Sequence, residues 1–174
     1  MYYILYHLPF FSCYFSHDSN HYHIHVGSLQ GPKKTVLTAH EDIKDLTKSC
    51  HGLRPKSLIL EVLRAIAHAW NITSIEGISN RGHIYNAWRY RSSKLTEVKF
   101  NYDEFWQESG ATKKDKYTYS VPTNTIKKDL EQLNRTKRKV YTKRYQLLDH
   151  LYSVTDEKIR LNLAEPLNEG RFIV

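Results

Sequence analysis

A histidine and a tyrosine follow a predicted strand in the segment Asn80–Tyr85, which reads NRGHIY. An imidazole accepts a proton near neutral pH, and a phenol can donate one. The segment comes directly after the β-rich run Ile72–Ile78, and ligand clefts in open α/β sheets form at the carboxyl ends of strands. His83 is therefore a candidate general base and Tyr85 a candidate general acid. A turn followed by packed aromatic residues is the alternative.

A basic turn, Lys48–Ser57, precedes an apolar helix predicted over Pro55–Trp70. The first turn of a helix carries free N–H groups and partial positive charge, so it attracts phosphates and carboxylates. The turn has neither the Walker pattern nor the glycine pattern of a dinucleotide-binding loop. An ordinary helix start with solvated cations is the alternative to an anion site. The residues expected to form that site are Leu53, Arg54, Lys56 and Ser57.

A strand predicted over Tyr22–Leu29 carries alternating histidines. His21, His23 and His25 would share one face of it, and His17 lies just before. Such a face suits metal ligation, but no H-E-x-x-H or C-x-x-C motif accompanies it. We therefore predict a polar strand face and assign no metal ligands.

The net charge of +8 is concentrated in one segment. Residues 111–145 carry 11 basic and 3 acidic side chains, and a helical pattern runs over Asn124–Ser153. Such a segment attracts nucleic acid, an acidic membrane surface or an acidic protein partner, while a solvated helix face is the alternative. The cations expected to bind a polyanion are Arg135, Lys137, Arg138, Lys139, Lys143 and Arg144.

Length and composition indicate a folded cytoplasmic protein. A chain of 174 residues is long enough to bury a core. Its two cysteines, Cys13 and Cys50, lie far apart, which favours a reducing compartment over a disulfide framework. Cys50 lies among cations before a helix, an arrangement that lowers a thiol pKa. No apolar run reaches the roughly 20 residues needed to cross a bilayer, so peripheral contact with the inner membrane is the expected limit of membrane association.

The pattern of elements predicts a mixed α/β or α+β fold. A strand, a long connection, the buried helix Pro55–Trp70 and a second strand form a βαβ unit. A short helix over Tyr102–Glu108, with Asp103 as a candidate cap, and a last strand over Tyr117–Val121 follow. We expect a core over residues 1–122, a basic helix over residues 123–153 and a tail over residues 154–174.

Several sequence blocks in fixed order resemble the VirK/YbjX family of proteobacterial proteins. The resemblance covers roughly residues 20–152, and the chain is expected to be a short or N-terminally truncated member. It implies a role in virulence, cell-envelope remodelling and tolerance of antimicrobial peptides. The blocks are GSLQGPK (27–33), TKSCHGLRPKSLILEVLRAIA (47–67), ISNRGHIY (78–85), YDEFWQESG (102–110) and KRKVYTKRYQLLDHL (137–151).

The order of elements is also similar to that of the GNAT acyltransferases. This resemblance implies an acyl-CoA ligand, with its pyrophosphate held by the amides of Leu53–Ser57 and with Asn80 as a further cofactor-binding residue. Tyr85 or Tyr102 would protonate the leaving thiol. The turn lacks the R-x-x-G-x-G/A signature of that family, and Ala111 stands where phenylalanine is usual. A non-enzymatic regulatory or binding protein that uses its basic helix is the alternative function.

Overall fold

The computed structural model describes residues 10–17, 21–30, 39–84 and 100–164. Within these ranges a five-stranded mixed sheet is combined with four helices, which confirms the predicted α/β class. The elements in chain order are β1 (Phe10–His17), β2 (Tyr22–Gln30), α1 (Ala39–Ser49), α2 (Pro55–Ala69), β3 (Ser74–Ile78), α3 (Tyr102–Glu108), β4 (Thr112–Lys113), β5 (Thr118–Val121) and α4 (Arg135–Ala164).

The strands follow the order β1-β2-β3-β5-β4. β2 and β3 are parallel, because the connection between them contains α2 and returns the chain to the same end of the sheet. The other pairs, β1–β2, β3–β5 and β4–β5, are antiparallel. The register of the β1–β2 pair shifts between Ser12 and Cys13, because Gly27 is an extra, unpaired residue that forms a bulge in β2.

One face of the sheet forms the core. Alternation along β2 directs Ile24 and Val26 into this core, while His23 and His25 lie half-buried on the opposite face. The predicted polar face of β2 is thus confirmed for these two histidines. The core cluster joins β2, β3 and β5 to α2 and α3, and its largest members are Trp106, Tyr102, Phe105, Ile24, Leu29, Leu60, Leu63 and Ile75.

Helix α2 begins and ends close to its predicted limits. Pro55 occupies the first turn, where its fixed φ suits a helix and its missing N–H removes no bond. Asn71 adopts a left-handed conformation with φ 52°, and the amide of Ile72 donates to the carbonyl of Ala67 at 2.7 Å. This arrangement satisfies a terminal carbonyl and turns the chain into β3.

Helix α3 has the predicted bounds but a different cap. The side chain of Asn101, not that of Asp103, accepts a hydrogen bond from the amide of Glu104 at 3.2 Å. Asp103 instead accepts from the amide of Asn80 at 3.0 Å, so it connects the helix to the end of β3. Gly110, with φ 78°, follows the helix and adopts the left-handed conformation common after helix ends.

The helix predicted over Asn124–Ser153 begins eleven residues later and continues to Ala164. Asn134 caps it, because its side chain accepts from the amide of Lys137 at 2.9 Å. The segment before the cap is held by the Arg138 side chain, which donates to the carbonyls of Leu130 and Leu133. The apolar pattern could not show this start, since the same spacing continues through a non-helical segment.

Residues 1–9, 18–20, 31–38, 85–99 and 165–174 lie outside the described residues. Tyr85 is among them. In the described ranges, no helix combines the length and the apolar character that crossing a membrane requires.

Candidate functional site

Strands β2 and β3 separate before β2 ends. Their parallel pairing runs from His23 opposite Ser74 to Val26 opposite Gly77. β2 then continues to Gln30, paired only with β1 in the described part of the chain. The gap that this leaves between β2 and β3 lies at the carboxyl ends of a parallel pair, where α/β sheets bind ligands.

A cleft of about 400 Å³ lies at this gap. Gly27 presents no side chain to it, and a Cβ added there would lie 3.4 Å from the Ser12 hydroxyl. In the described part of the chain, the basic turn before α2 contributes none of the lining. The residues that line the cleft are Ser12, Gly27, Ser28, Ile78, Gly82, His83 and Ile84.

The turn after β3 is fixed to the chain before β5. The amide of Ser79 donates to the carbonyl of Tyr117 at 2.7 Å, and its hydroxyl donates to the carbonyl of Lys116 at 3.0 Å. The amide of Gly82 in turn donates to the hydroxyl of Ser79 at 3.1 Å. A Cβ at Gly82 would overlap the Tyr117 carbonyl, so only glycine allows this approach. These contacts set the position of His83.

His83 lies in the wall of the cleft and is only 4% exposed. Burial lowers its pKa, because the charged imidazolium loses hydration. The imidazole is therefore neutral near pH 7 and can accept a proton, as the prediction of a general base requires. Its ring packs against Tyr102, with centroids 5.1 Å apart.

The hydroxyl of Tyr102 donates to the carbonyl of Leu29 and accepts from its amide, each at 3.1 Å. The residue is 1% exposed. The hydroxyl thus bonds the part of β2 that extends beyond its pairing with β3. This geometry favours a structural role for Tyr102 over that of a proton donor.

Asn80 links the end of β3 to the start of α3. Its side-chain oxygen accepts from the amide of Tyr102 at 2.7 Å, and its side-chain nitrogen donates to Asn101 at 2.8 Å. Asn80 can make both bonds because its side-chain amide accepts and donates. The two bonds orient the end of β3 and the start of α3 around His83.

The basic turn has few backbone donors to offer. The amide of Gly52 donates to Thr47 and that of Leu53 donates to Cys50, because His51 and Gly52 take left-handed conformations at the end of α1. At the start of α2, Pro55 has no N–H, and the amides of Ser57 and Leu58 both donate to the carbonyl of Arg54. A pyrophosphate would therefore meet side chains more than amides.

The two cations predicted to bind an anion at this turn, Lys56 and Arg54, differ in their surroundings. Lys56 lies 3.7 Å from a carboxylate oxygen of Glu108 and 5.0 Å from the ring centroid of Phe105, so it attaches α2 to α3. Arg54 is exposed, and Leu53 and Ser57 are half-buried.

The thiol of Cys50 departs from expectation. It is buried, and this burial raises its pKa. Desolvation therefore shifts the thiol pKa in the direction opposite to the lowering that its place among cations in the sequence could have caused.

Two of the six predicted polyanion-binding residues have structural contacts. Arg138 holds the segment before α4, and Arg144 donates twice to the carbonyl of His51, at 2.9 and 3.1 Å. The bond from Arg144 brings the basic helix to the basic turn. The remaining four are exposed along α4: Arg135, Lys137, Lys139 and Lys143.

Sequence reasoning missed Ser12, Gly27 and Ser28 as cleft residues. A glycine that interrupts an alternating strand is a signal for a bulge or a close approach, and Gly27 carried that signal. Ser12 had no comparable local signal, since the register of β1 places it there. In the described ranges, no group of three or more histidine, cysteine or acidic side chains could hold a metal ion.

Comparisons with known proteins give relatives but no structural match. The chain is 34% identical to "Uncharacterized protein YbjX" of Escherichia coli (strain K12) over 124 residues, which cover 71% of this chain and 37% of that protein. It is 33% identical to an "Uncharacterized protein" of Haemophilus influenzae over 126 residues, covering 72% and 40%. A 56-residue stretch is 38% identical to "Membrane protein LapB" of Mannheimia haemolytica, covering 32% and 24%.

The chain thus spans about two fifths of the length of the first two of these relatives. No solved structure matches it. The family model described as "Protein of unknown function (DUF535)" matches residues 3–157, and the chain belongs to this family, which includes YbjX.

Proposed function

We propose that this protein is a GNAT-like acyltransferase whose cleft receives the acyl group of an acyl-CoA. The separation of β2 and β3 after Val26 and Gly77 carries this proposal. A parallel pair that opens at its carboxyl ends, next to the turn that starts the connecting helix, gives a thioester a path between the strands. The cleft at this gap accommodates the acyl group and the thioester, while the phosphates lie outside it.

His83 acts as the general base. Its neutral imidazole takes a proton from the amine or hydroxyl of the acceptor as that group attacks the thioester carbonyl. The carbon–sulfur bond then breaks, and the thiolate leaves with a proton. Tyr85, two residues further along the chain, is the proposed proton donor.

The phosphates of the ligand are held by side chains rather than by a backbone cradle. α2 runs back from the carboxyl end of β2, so its first turn lies at the same end of the sheet as the cleft. Arg54 is exposed at this turn and supplies the charge, because Lys56 is already paired with Glu108.

Thermal-shift titration with acetyl-CoA tests binding. A ligand at 100 times its Kd stabilises the folded state by about 2.7 kcal/mol. His83→Gln should keep this shift and lose acyl transfer to a panel of amines, whereas Gly27→Val, which fills the cleft, should lose the shift. Lys113→Ala, an exposed change in β4, is the control. An unchanged melting temperature at millimolar acetyl-CoA would refute the proposal.

A second candidate function is polyanion binding by α4. Arg135, Lys139 and Lys143 are exposed and spaced four residues apart, so they form one stripe along the helix. Removing all three charges should weaken binding to single-stranded RNA or anionic vesicles and reduce its salt dependence. The matched control removes three exposed lysines elsewhere, Lys44, Lys113 and Lys158. Equal effects of the two triple variants would contradict a specific surface.

In the cell, we place this activity in the cytoplasm, in a response that protects the envelope against antimicrobial peptides. The resemblance to the VirK/YbjX family supports this role, and the exposed cations of α4 would allow contact with the inner membrane. The test is survival under a cationic peptide of a strain that lacks its own family member. Wild-type protein should restore survival and His83→Gln should not. Equal rescue by both would contradict an enzymatic role.

A further inference from the structure

Three side chains on adjacent strands form a connected row outside the cleft. The hydroxyl oxygen of Ser16 on β1 lies 2.7 Å from Nε2 of His25 on β2. Nδ1 of the same imidazole lies 3.6 Å from Oε2 of Glu76 on β3. His25 and Glu76 are direct partners in the parallel register, so the backbone itself sets this spacing.

Two further residues restrain the row. The ring of Tyr14 stacks on the imidazole of His25, with centroids 4.5 Å apart and planes 10° apart. The ammonium group of Lys114 pairs with Oε1 of Glu76, which leaves Oε2 to face the imidazole. The ring orientation and the carboxylate are thus both fixed by neighbours.

The row is partly desolvated yet open to solvent. The side chain of His25 is 23% exposed and that of Glu76 is 15% exposed. A carboxylate facing Nδ1 favours the tautomer with its proton there, and Nε2 then becomes the acceptor for the Ser16 hydroxyl. This is the arrangement in which a hydroxyl, an imidazole and a carboxylate activate a serine as a nucleophile.

We propose that Ser16, His25 and Glu76 form a second, nucleophilic site that cleaves carboxylic esters. The Ser16 oxygen attacks the ester carbonyl carbon and passes its proton to Nε2 of His25. The bond to the alkoxy group breaks, and this group leaves with the proton from Nε2. Water, deprotonated by His25, then attacks the acyl-serine and releases the carboxylic acid, which restores Ser16.

The site does not depend on the acyltransferase proposal, since none of its three residues lines the cleft of His83. An exposed serine outside both sites supplies the control. Ser49 is the last residue of α1, and its hydroxyl donates to the carbonyl of Asp45 at 2.9 Å instead of contacting an imidazole. A serine of this kind should not react.

A fluorophosphonate probe tests the nucleophile directly, because the serine oxygen displaces fluoride and keeps a stable phosphonyl group. Intact-mass and peptide mass spectrometry of the full chain should find one adduct, located on Ser16. Ser16→Ala should abolish it, His25→Gln should slow it at least tenfold, and Glu76→Gln should slow it by about tenfold. Ser49→Ala should react at the wild-type rate.

Hydrolysis of p-nitrophenyl acetate gives an independent readout, in which the wild type should release a burst of about one nitrophenolate per chain. Urea unfolding of each variant checks that lost reactivity is not lost folding. An adduct that fails to form, that forms on another residue, or that forms as fast in a folded His25→Gln variant would overturn the proposal.

Discussion

The hydroxyl of Tyr102 lies 3.1 Å from both the backbone nitrogen and the backbone oxygen of Leu29. These two backbone groups stand beyond the point at which β3 stops pairing with β2. A side chain from α3 therefore takes the place of a neighbouring strand at the edge of the cleft. This substitution lets the strands separate without leaving buried backbone groups unpaired.

Tyr102→Phe should therefore destabilise the fold without changing its core packing. The change leaves an amide and a carbonyl of Leu29 without this partner, at a cost of about 1–3 kcal/mol. Urea unfolding should show a lower midpoint with an unchanged m value. Tyr117→Phe, at a residue that is 51% exposed, should have little effect. Equal midpoints for the two variants would contradict the bridging role of Tyr102.

A buried ion pair gives a second prediction. Nη1 of Arg64 lies 2.7 Å from Oε1 of Glu61, and both residues are nearly inaccessible to solvent. Arg64 also donates to the carbonyls of Pro122 and Ser109, which attaches α2 to the chain on both sides of β5. Arg64→Met should cost about 3–5 kcal/mol, because it leaves the buried Glu61 carboxylate without its oppositely charged partner, although the Thr125 hydroxyl remains bonded to it.

The control is an arginine in an exposed pair on α4. Arg160 lies 2.8 Å from Asp156, but its side chain is 77% exposed. Arg160→Met should cost less than about 1 kcal/mol. Denaturant midpoints compare the two, and replacing Glu61 and Arg64 together by Leu and Met should recover most of the loss. A double variant no more stable than Arg64→Met would contradict this explanation.

Local patterns predicted the elements that build the cleft. Pro55 and Asn71 mark the ends of α2, and alternation along β2 correctly separated Ile24 from His25. These signals depend on residues that are close together in the chain, so they can be recognised in a single sequence. They fixed the βαβ unit and hence the end of the sheet where a ligand site was expected.

Contacts between residues far apart in the chain could not be predicted from local patterns. Lys56 carries the same charge as Arg54, yet only the fold shows that Glu108 and Phe105 engage it. Arg144 looked like a surface cation of the basic helix, but it bonds to His51, 93 residues away. The cap of α3 was misplaced by two residues because Asp103 and Asn101 have equally suitable side chains.

The close approach of α3 to the sheet gives a third prediction. A Cβ at Gly77 would overlap the indole ring of Trp106, whose Nε1 donates to the carbonyl of Ile78 at 2.7 Å. Gly77→Ala should cost about 1–3 kcal/mol through overpacking. Gly27→Ala is the matched strand control, because the nearest atom to its new Cβ is at 3.4 Å. Thermal unfolding should separate the two, and a harmless Gly77→Ala would show that the ring can move.

The burial of His83 predicts a dependence of stability on pH. Desolvation lowers its pKa in the folded state below the value of about 6.5 expected in the unfolded chain. As the pH falls below about 6.5, the unfolded state binds a proton at His83 that the folded state does not yet bind. The stability that the buried, neutral imidazole contributes is therefore present above pH 6.5 and is lost as the pH falls toward the folded-state pKa. Protonation of His83 in the unfolded state should therefore lower the free energy of unfolding as the pH falls from 7.5 to 5.

His83→Gln removes the titrating group, so the difference in unfolding free energy between wild type and variant should shrink as the pH falls through this window. Urea unfolding at pH 7.5, 6.5, 5.5 and 5.0 measures that difference. His150→Gln, a substitution of a histidine at an exposed position of α4, is the matched control. A wild-type minus His83→Gln difference that stays constant from pH 7.5 to 5.0 would mean that the folded state holds His83 with the same proton affinity as the unfolded chain. Burial would then not be what keeps this imidazole neutral in the cleft.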